Sequence, residues 1–219
     1  MIHEVDDGLR RLLREEALRG TEVEIALDAP TKDWAARRNA PTVNMYLYDI
    51  REDMRRKQRG MLNEYGGDGT VAARHSPPRY LKLSYLITAW TQRPEDEHRL
   101  LSDLLVTLLR HDALPVGLLS GSLAGFGLPV PLTCALPPPE DRAFADVWTA
   151  LGGELKPSLD VVVSAPVDPG RRIPVGPPVE GGMLLKMGGE SVAHDVAVDA
   201  VPGEPRVAMM RSRAGRGEG

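Results

Sequence analysis

The order of hydrophobic patterns along this chain predicts an α+β fold: a mainly antiparallel sheet of about four to five strands flanked by helices, with a small β-rich C-terminal extension. Three observations carry that expectation. Two long segments, residues 42–53 and 80–90, alternate in hydrophobicity with a period of two and are separated by a polar stretch containing turn signals. Helical patterns at residues 2–19, 94–111 and 139–153 are interspersed without the strict alternation of a parallel sheet. From Pro166 the composition changes to a Pro/Gly-rich connector, "APVDPGRRIPVGPPVEGG" (165–182).

In the first helix, Ile2, Val5, Leu9, Leu12, Leu13 and Ala17 recur at three- and four-residue spacing, and Gly20 supplies a stop. Val23, Ile25 and Leu27 then alternate with Glu22, Glu24 and Ala26, the pattern of a half-buried strand that Pro30 ends. "TKDWAARR" supports one or two helical turns with Thr31 as N-cap. In residues 42–53, Val43, Met45 and Leu47 alternate with Asn44, Tyr46 and Tyr48. The strongest strand is 80–90, with Leu81, Leu83, Tyr85 and Ile87 on one face and Leu86 and Trp90 on the other. After the helix at 94–111, short strands are expected at 128–136 and 155–167, on either side of the helix at 139–153.

The chain divides by this reading into a main domain over 1–168, a linker over 169–182, a short β-rich extension over 183–210 and a disordered tail over 211–219. The extension contains three strand-like runs, "MLLKM", "VAHDVAV" and "RVAMM", too small to bury much core alone.

The 219 residues are 42% hydrophobic and 26% charged, which are globular proportions. A net charge of −4 gives no global case for nucleic acid. Cys134 is the single cysteine, so neither an intrachain disulfide nor a multi-cysteine zinc site is possible; a small buried core residue is expected there. The first residues lack the basic and apolar regions of a secretory signal, and no stretch has the length of uncharged apolar sequence a spanning helix needs. The expectation is a cytoplasmic protein without membrane insertion.

"PEDEHRLL" (94–101) brings three acids and a histidine together. Glu95, Asp96 and His98 admit a metal-dependent hydrolase, but no HExxH spacing accompanies them. The same residues describe a helix start: Pro94 at the first helical position, then carboxylates in the first turn facing the positive end of the dipole. His3, His75, His111 and His194 are scattered. "LLSGSLAGFG" (118–127) resembles a nucleophile elbow or phosphate loop only superficially, lacking the Gly-x-Ser-x-Gly order and a Lys-Ser/Thr pair. No catalytic residue, metal ligand or cofactor is assigned.

"REDMRRKQRG" (51–60) is the dense basic run, with Arg51, Arg55, Arg56, Lys57 and Arg59. It reads first as a solvated edge, next as a contact for an acidic protein partner of a non-ring adaptor, and last as a nucleic-acid surface.

At "APTVNMYLYDIRED" (40–53), "RYLKLSYLITAWTQRPEDEHRLLSDLLVTLLRHDALP" (79–115) and "LPPPEDRAFADVWTALGGELKPSLDVVVSAPV" (136–167), the chain resembles the cap, or tail-terminator, proteins of phage-tail-like contractile injection systems. The specific marks are the paired tyrosines before Asp49, the Leu-x-Tyr-Leu strand running through Trp-Thr into Glu-Asp-Glu-His, and the Trp-x-Ala-Leu-Gly-Gly-Glu-Leu-Lys-Pro-Ser-Leu segment. The similarity covers about residues 1–168. It implies a hexameric ring that closes the baseplate-distal end of the inner tube and sheath and stabilises the extended sheath. The implied partners are further copies of the chain and the sheath and inner tube proteins, in particles assembled in the cytoplasm that lysis can release. The family's known members carry no catalytic residues, and none is transferred. Candidate interface residues are Tyr46, Tyr48, Arg51, Arg55, Arg56 and Arg59 in the main domain. In the extension they are Met183, Leu184, Leu185, Val196 and Val198.

Overall fold

The computed structural model describes residues 1–137 and 144–176. Residues Met1–Val175 form one compact unit. The extension, with Met183, Leu184, Leu185, Val196 and Val198, lies outside the described residues, as does the start of the helix expected at 139–153.

Helix α1 (Ile2–Leu12) buries the predicted stripe: Val5, Leu9, Leu12 and Leu13 are fully inaccessible. The α-helix does not reach residue 19. Residues Leu13–Ala17 form a π-helical turn, closed by Leu18 N–H donating to the Leu13 carbonyl at 2.9 Å. The extra residue in this turn keeps both Leu13 and Leu18 in the core, at a spacing of five that an undisturbed α-helix would place on different faces. Gly20 then leaves the helix with φ +73°.

Strand β1 is only three residues, Glu24–Ala26, and pairs in parallel with the start of β2 (Thr42–Glu52). Between them lies α2 (Lys32–Ala36), whose Thr31 hydroxyl accepts from Trp34 N–H at 3.2 Å as the sequence predicted. One small β-α-β unit therefore opens an otherwise antiparallel sheet. Its order is β1-β2-β5-β7-β6, with β5 spanning Arg79–Trp90, β6 Leu132–Cys134 and β7 Leu159–Val167. Strand β6 is shorter than residues 128–136 because Pro129 and Pro131 cannot donate to the ladder.

The core lies on one face of this sheet. Met45, Leu83, Tyr85, Ile87, Val161 and Val163 meet α1, α3 (Pro94–Leu109) and α4 (Gly121–Phe126) through Leu9, Leu104, Leu108 and Leu123, all fully buried. Tyr85 also donates its hydroxyl to Asp6 Oδ1 at 2.7 Å, fixing α1 over the middle of β5. Burial first, and this bond second, push the phenol's pKa far up. Helix α3 begins at Pro94 with Glu95, Asp96 and Glu97 in its first turn, as helix-start chemistry requires.

The polar stretch between the two long strands contains a hairpin that pattern reading misses. Strands β3 (Leu62–Tyr65) and β4 (Val71–His75) pair around the Gly66–Gly69 turn. A third strand, β8 (Arg172–Pro174), comes from the Pro/Gly-rich connector and pairs with β4. These strands leave no apolar periodicity in the sequence because Ala73 is their single buried residue. The helical segment α5 (Phe144–Ala150) precedes β7 and buries Trp148.

Candidate protein interface

The basic run begins on β2 and passes into a short 3-10 turn, Met54–Arg56. The ladder between β2 and β5 shifts register between Leu47 and Asp49, so Tyr48 forms a bulge. That bulge lets Tyr48 reach across β5 and donate its hydroxyl to Asp160 Oδ1 on β7 at 2.8 Å. Tyr46, Tyr48 and Trp90 are therefore half-buried rather than displayed, and β2 and β5 are interior strands of the sheet over much of their length. Only beyond Asn44 does β2 extend past its β1 partner.

The buried carboxylate of Asp53 organises the turn. Its Oδ2 accepts from the Ser164 hydroxyl at 2.8 Å and its Oδ1 from Arg55 N–H at 3.3 Å. Arg56 and Lys82 lie at 3.6 and 3.7 Å and balance its charge. Arg56 also covers the Tyr80 ring at 5.4 Å. Next to it, Glu52 holds Arg79 in a two-pronged pair and Lys57 at 3.6 Å. The hydrogen bond from Arg79 draws the Glu52 carboxyl below its ordinary range. Arg51 pairs with Asp49 at 3.1 Å.

The predicted arginines thus divide. Arg51 and Arg56 are neutralised locally, while Arg55 and Arg59 are exposed and make no ion pair among the described residues. Sequence reading missed Arg74 on β4 and Arg171 beside β8, which the small sheet brings to the same lobe and which are likewise unpaired among the described residues.

At the other end of β2 and β5, Trp90 lies near Trp34 and Trp148. Trp34 and Trp90 meet edge to face at 5.4 Å, with Arg38 over Trp34 at 4.5 Å and Lys156 over Trp90 at 4.7 Å. Lys156 is also hydrogen-bonded to Glu97, whose other oxygen accepts from Thr91 N–H at 3.1 Å. Glu97 therefore ties the start of α3 to the segment before β7. Glu95 lies 3.7 Å from Arg93, Asp96 lies 3.3 Å from Arg99, and the His98 side chain is exposed. The run that suggested a metal centre sends its acids to separate cations. Among the described residues, no group of three or more His, Cys, Asp or Glu side chains is placed to hold a metal ion.

The phosphate-loop look-alike has a different occupant. Glu4 accepts from the Ser122 hydroxyl at 2.8 Å and from the N–H groups of Ser122 and Leu123 at 3.1 and 3.0 Å. Burial works to raise the Glu4 pKa, but these bonds outweigh it and lower it to about 2. Gly121, at φ +54°, is required here: a Cβ would lie 2.5 Å from Glu4 Oε1. Cys134 is buried, and burial followed by the nearby Asp160 charge pushes its thiol up to about 11. Among the described residues, no helix is long and apolar enough to cross a membrane.

Comparison with curated protein sequences returns no match. Solved structures that share the fold include two terminators of injection particles. The sheath/tube terminator of an extracellular contractile injection system, PVC, in its extended state, superposes with a TM-score of 0.63 at 20% identity, over 87% of this chain and 65% of that one. The anti-feeding prophage cap, a tube-terminating cap, superposes with a TM-score of 0.54 at 20% identity, over 84% of this chain and 60% of that one. The chain thus spans less than two thirds of the length of each. The sequence profile described as "Pvc16 N-terminal domain" matches residues 4–181, so the chain belongs to the Pvc16 N-terminal domain family.

Proposed function

We propose that this chain is the terminator of a contractile injection particle, a non-enzymatic ring component that closes the inner tube and sheath at the end away from the baseplate. The observation that carries the reading is the likeness to the PVC sheath/tube terminator over 87% of the chain. The family match across residues 4–181 supports it. The ring holds six copies, contacts the last layer of tube and sheath, and stabilises the extended sheath. No cofactor takes part.

The main domain supplies a rigid body for this role, since its sheet is packed by helices and pinned by buried contacts such as Tyr85 to Asp6. The extension carrying Met183, Leu184, Leu185, Val196 and Val198 adds strands to a sheath subunit through main-chain hydrogen bonds, which need little core. The test is electron microscopy of particles assembled from tube, sheath and baseplate proteins with and without this chain. The expected result is a six-fold ring at the distal end, and irregular or contracted ends without it. Capped particles of normal length in its absence would overturn the reading. Truncation after Val175 separates the two roles: the domain still folds, and capping weakens.

A further inference from the structure

An unpaired strand edge offers main-chain donors and acceptors to any other strand, so folded proteins close such edges by shortness, charge, proline or a covering group. The two sheets have four outer edges, and three are closed among the described residues. At β1, only three residues long, Arg14 donates to the Val23 and Thr21 carbonyls at 2.8 and 3.5 Å. At β6, Leu132 N–H donates to the Asp112 carbonyl and Leu114 N–H to the Val130 carbonyl, both at 2.9 Å. At β8, Pro174 removes an outward N–H.

The fourth edge, β3, has none of these devices. Ser76 N–H donates to the Arg171 carbonyl at 3.0 Å and Val175 N–H to the Ala72 carbonyl at 3.2 Å, which turns alternate residues of β4 toward β8. Ala73 and His75 therefore face β3, where their partners are Glu64 and Leu62. The N–H and C=O of Asn63, between those two, point out of the sheet edge and have no partner among the described residues. Leu62 and Tyr65 on this strand are 44% and 64% exposed. Glu64, the single charge of the strand, is already matched by Arg172 at 2.6 Å.

We propose that two free copies of this chain pair through β3, antiparallel across a two-fold axis at Asn63. With the other edges closed, the sheet edge of a second copy that fits β3 is β3 itself. The sequence Met61-Leu62-Asn63-Glu64-Tyr65 then selects the register. Centred on Asn63, this residue meets its symmetry mate and exchanges main-chain hydrogen bonds with it. Tyr65 meets Met61 on the same face, and Leu62 meets Glu64 on the other. Centred one residue later, the two Glu64 carboxylates would stand directly opposite one another, which is destabilising. Centres further out shorten the overlap. The Asn63 register joins two small sheets into one and covers the exposed Leu62 and Tyr65 side chains.

This pairing goes beyond the ring reading and does not rest on it. Neighbours around a cyclic ring meet head to tail, so a two-fold contact belongs to chains outside the ring. It closes the lobe in the free chain and is given up when the lobe enters a particle.

The experiment places cysteines along the seam of the full chain, whose own Cys134 is buried. Residues directly opposite in an antiparallel ladder lie about 4.5–5.5 Å apart between Cα atoms, within disulfide reach, whereas diagonal ones lie about 7–8 Å apart. Under mild oxidation, Asn63→Cys is expected to cross-link into a dimer. Leu62→Cys and Glu64→Cys are each expected to stay largely monomeric, and their equimolar mixture to cross-link. Analytical ultracentrifugation of the unmodified chain is expected to show reversible dimerisation below about millimolar concentration, since an edge contact buries less than the roughly 1,200 Å² of a stable interface. Asn63 is exposed, and Asn63→Lys sets two ammonium groups opposite one another. That variant, checked for folding by circular dichroism, is expected to lose roughly tenfold in association constant, and mixing it with Asn63→Asp to recover the loss. A wild-type chain that stays monomeric, association untouched by Asn63→Lys, or no recovery on mixing overturns the pairing. So does cross-linking of Leu62→Cys alone as readily as Asn63→Cys. Rings on tube ends are scored separately by electron microscopy, so neither result decides the other.

Discussion

Glu4 and Ser122 stand 118 residues apart in the chain and meet at 2.8 Å, where the Glu4 carboxylate caps the start of α4. A side chain of the first helix turn thereby performs the task that a bound anion performs in phosphate loops. The contact joins α1 and α4, two of the three helices that cover the core face of the sheet, so its loss should be felt by the whole domain.

Glu4→Gln keeps the shape and removes the charge. The variant is expected to lose about 1.5–3 kcal/mol at neutral pH, the range for hydrogen bonds to a charged group, read by urea denaturation. The pH dependence follows from the lowered pKa. The folded value is about 2 against an ordinary 4.5. The stabilisation is therefore complete above about 4.5 and is lost as pH falls from there through 2. Wild type and Glu4→Gln should differ at pH 7 and converge toward pH 2. A constant difference across that window would refute the assignment.

The acidic run at the start of α3 gives a second expectation, because only one of its members has a partly buried partner. A double-mutant cycle with Glu97→Gln and Lys156→Met should give a coupling of about 1 kcal/mol, since these side chains are 13% and 20% exposed and are held by Thr91 N–H and the Trp90 ring respectively. Glu95→Ala and His98→Ala should each change stability by less than about 0.5 kcal/mol. A coupling near zero would mean that Glu97 is another exposed carboxylate of the helix dipole.

Much of the fold was legible where burial writes a period into the sequence. The stripe of α1, the face of β5 and the N-cap Thr31 could be read because each depends on neighbours within a few residues. The rest was not, for physical reasons particular to each place. The π-helical turn exists to keep Leu13 and Leu18 on one face, and i, i+5 spacing carries no standard signal. The β3-β4-β8 sheet has polar residues on both faces, so no alternation marks it. The candidate interface was half legible. The 51–60 run was visible as local charge, but its division into neutralised and unpaired arginines depends on Asp53, Ser164 and Lys82, which only the folded chain brings together.

Cys134 should be silent toward thiol reagents in the native chain. With its thiol pushed up to about 11 and its side chain buried, a chromogenic disulfide reagent at pH 8 should react only after denaturation. The folded pKa lies above the ordinary thiol value of 9.0, so ionisation of the unfolded chain costs stability as pH rises from 9 toward 11. Cys134→Ala should flatten that alkaline loss. Rapid stoichiometric labelling of the folded protein would contradict the burial.

The small sheet should be dispensable for folding and required for assembly. Replacing residues 61–75 with a short Gly/Ser linker removes β3 and β4 and leaves β8 without a partner, yet takes only Ala73 from the buried set. The β2-β5-β7 ladder and the core cluster are untouched by the change. The thermal midpoint is therefore expected to fall by a few degrees at most, with cooperative unfolding retained, because about 1 kcal/mol moves a domain of this size by roughly 2–4 °C. Capping of tube ends should be lost in the same variant. Loss of cooperative unfolding would show that the lobe supports the core after all. Normal capping by the folded variant would remove it from the interface.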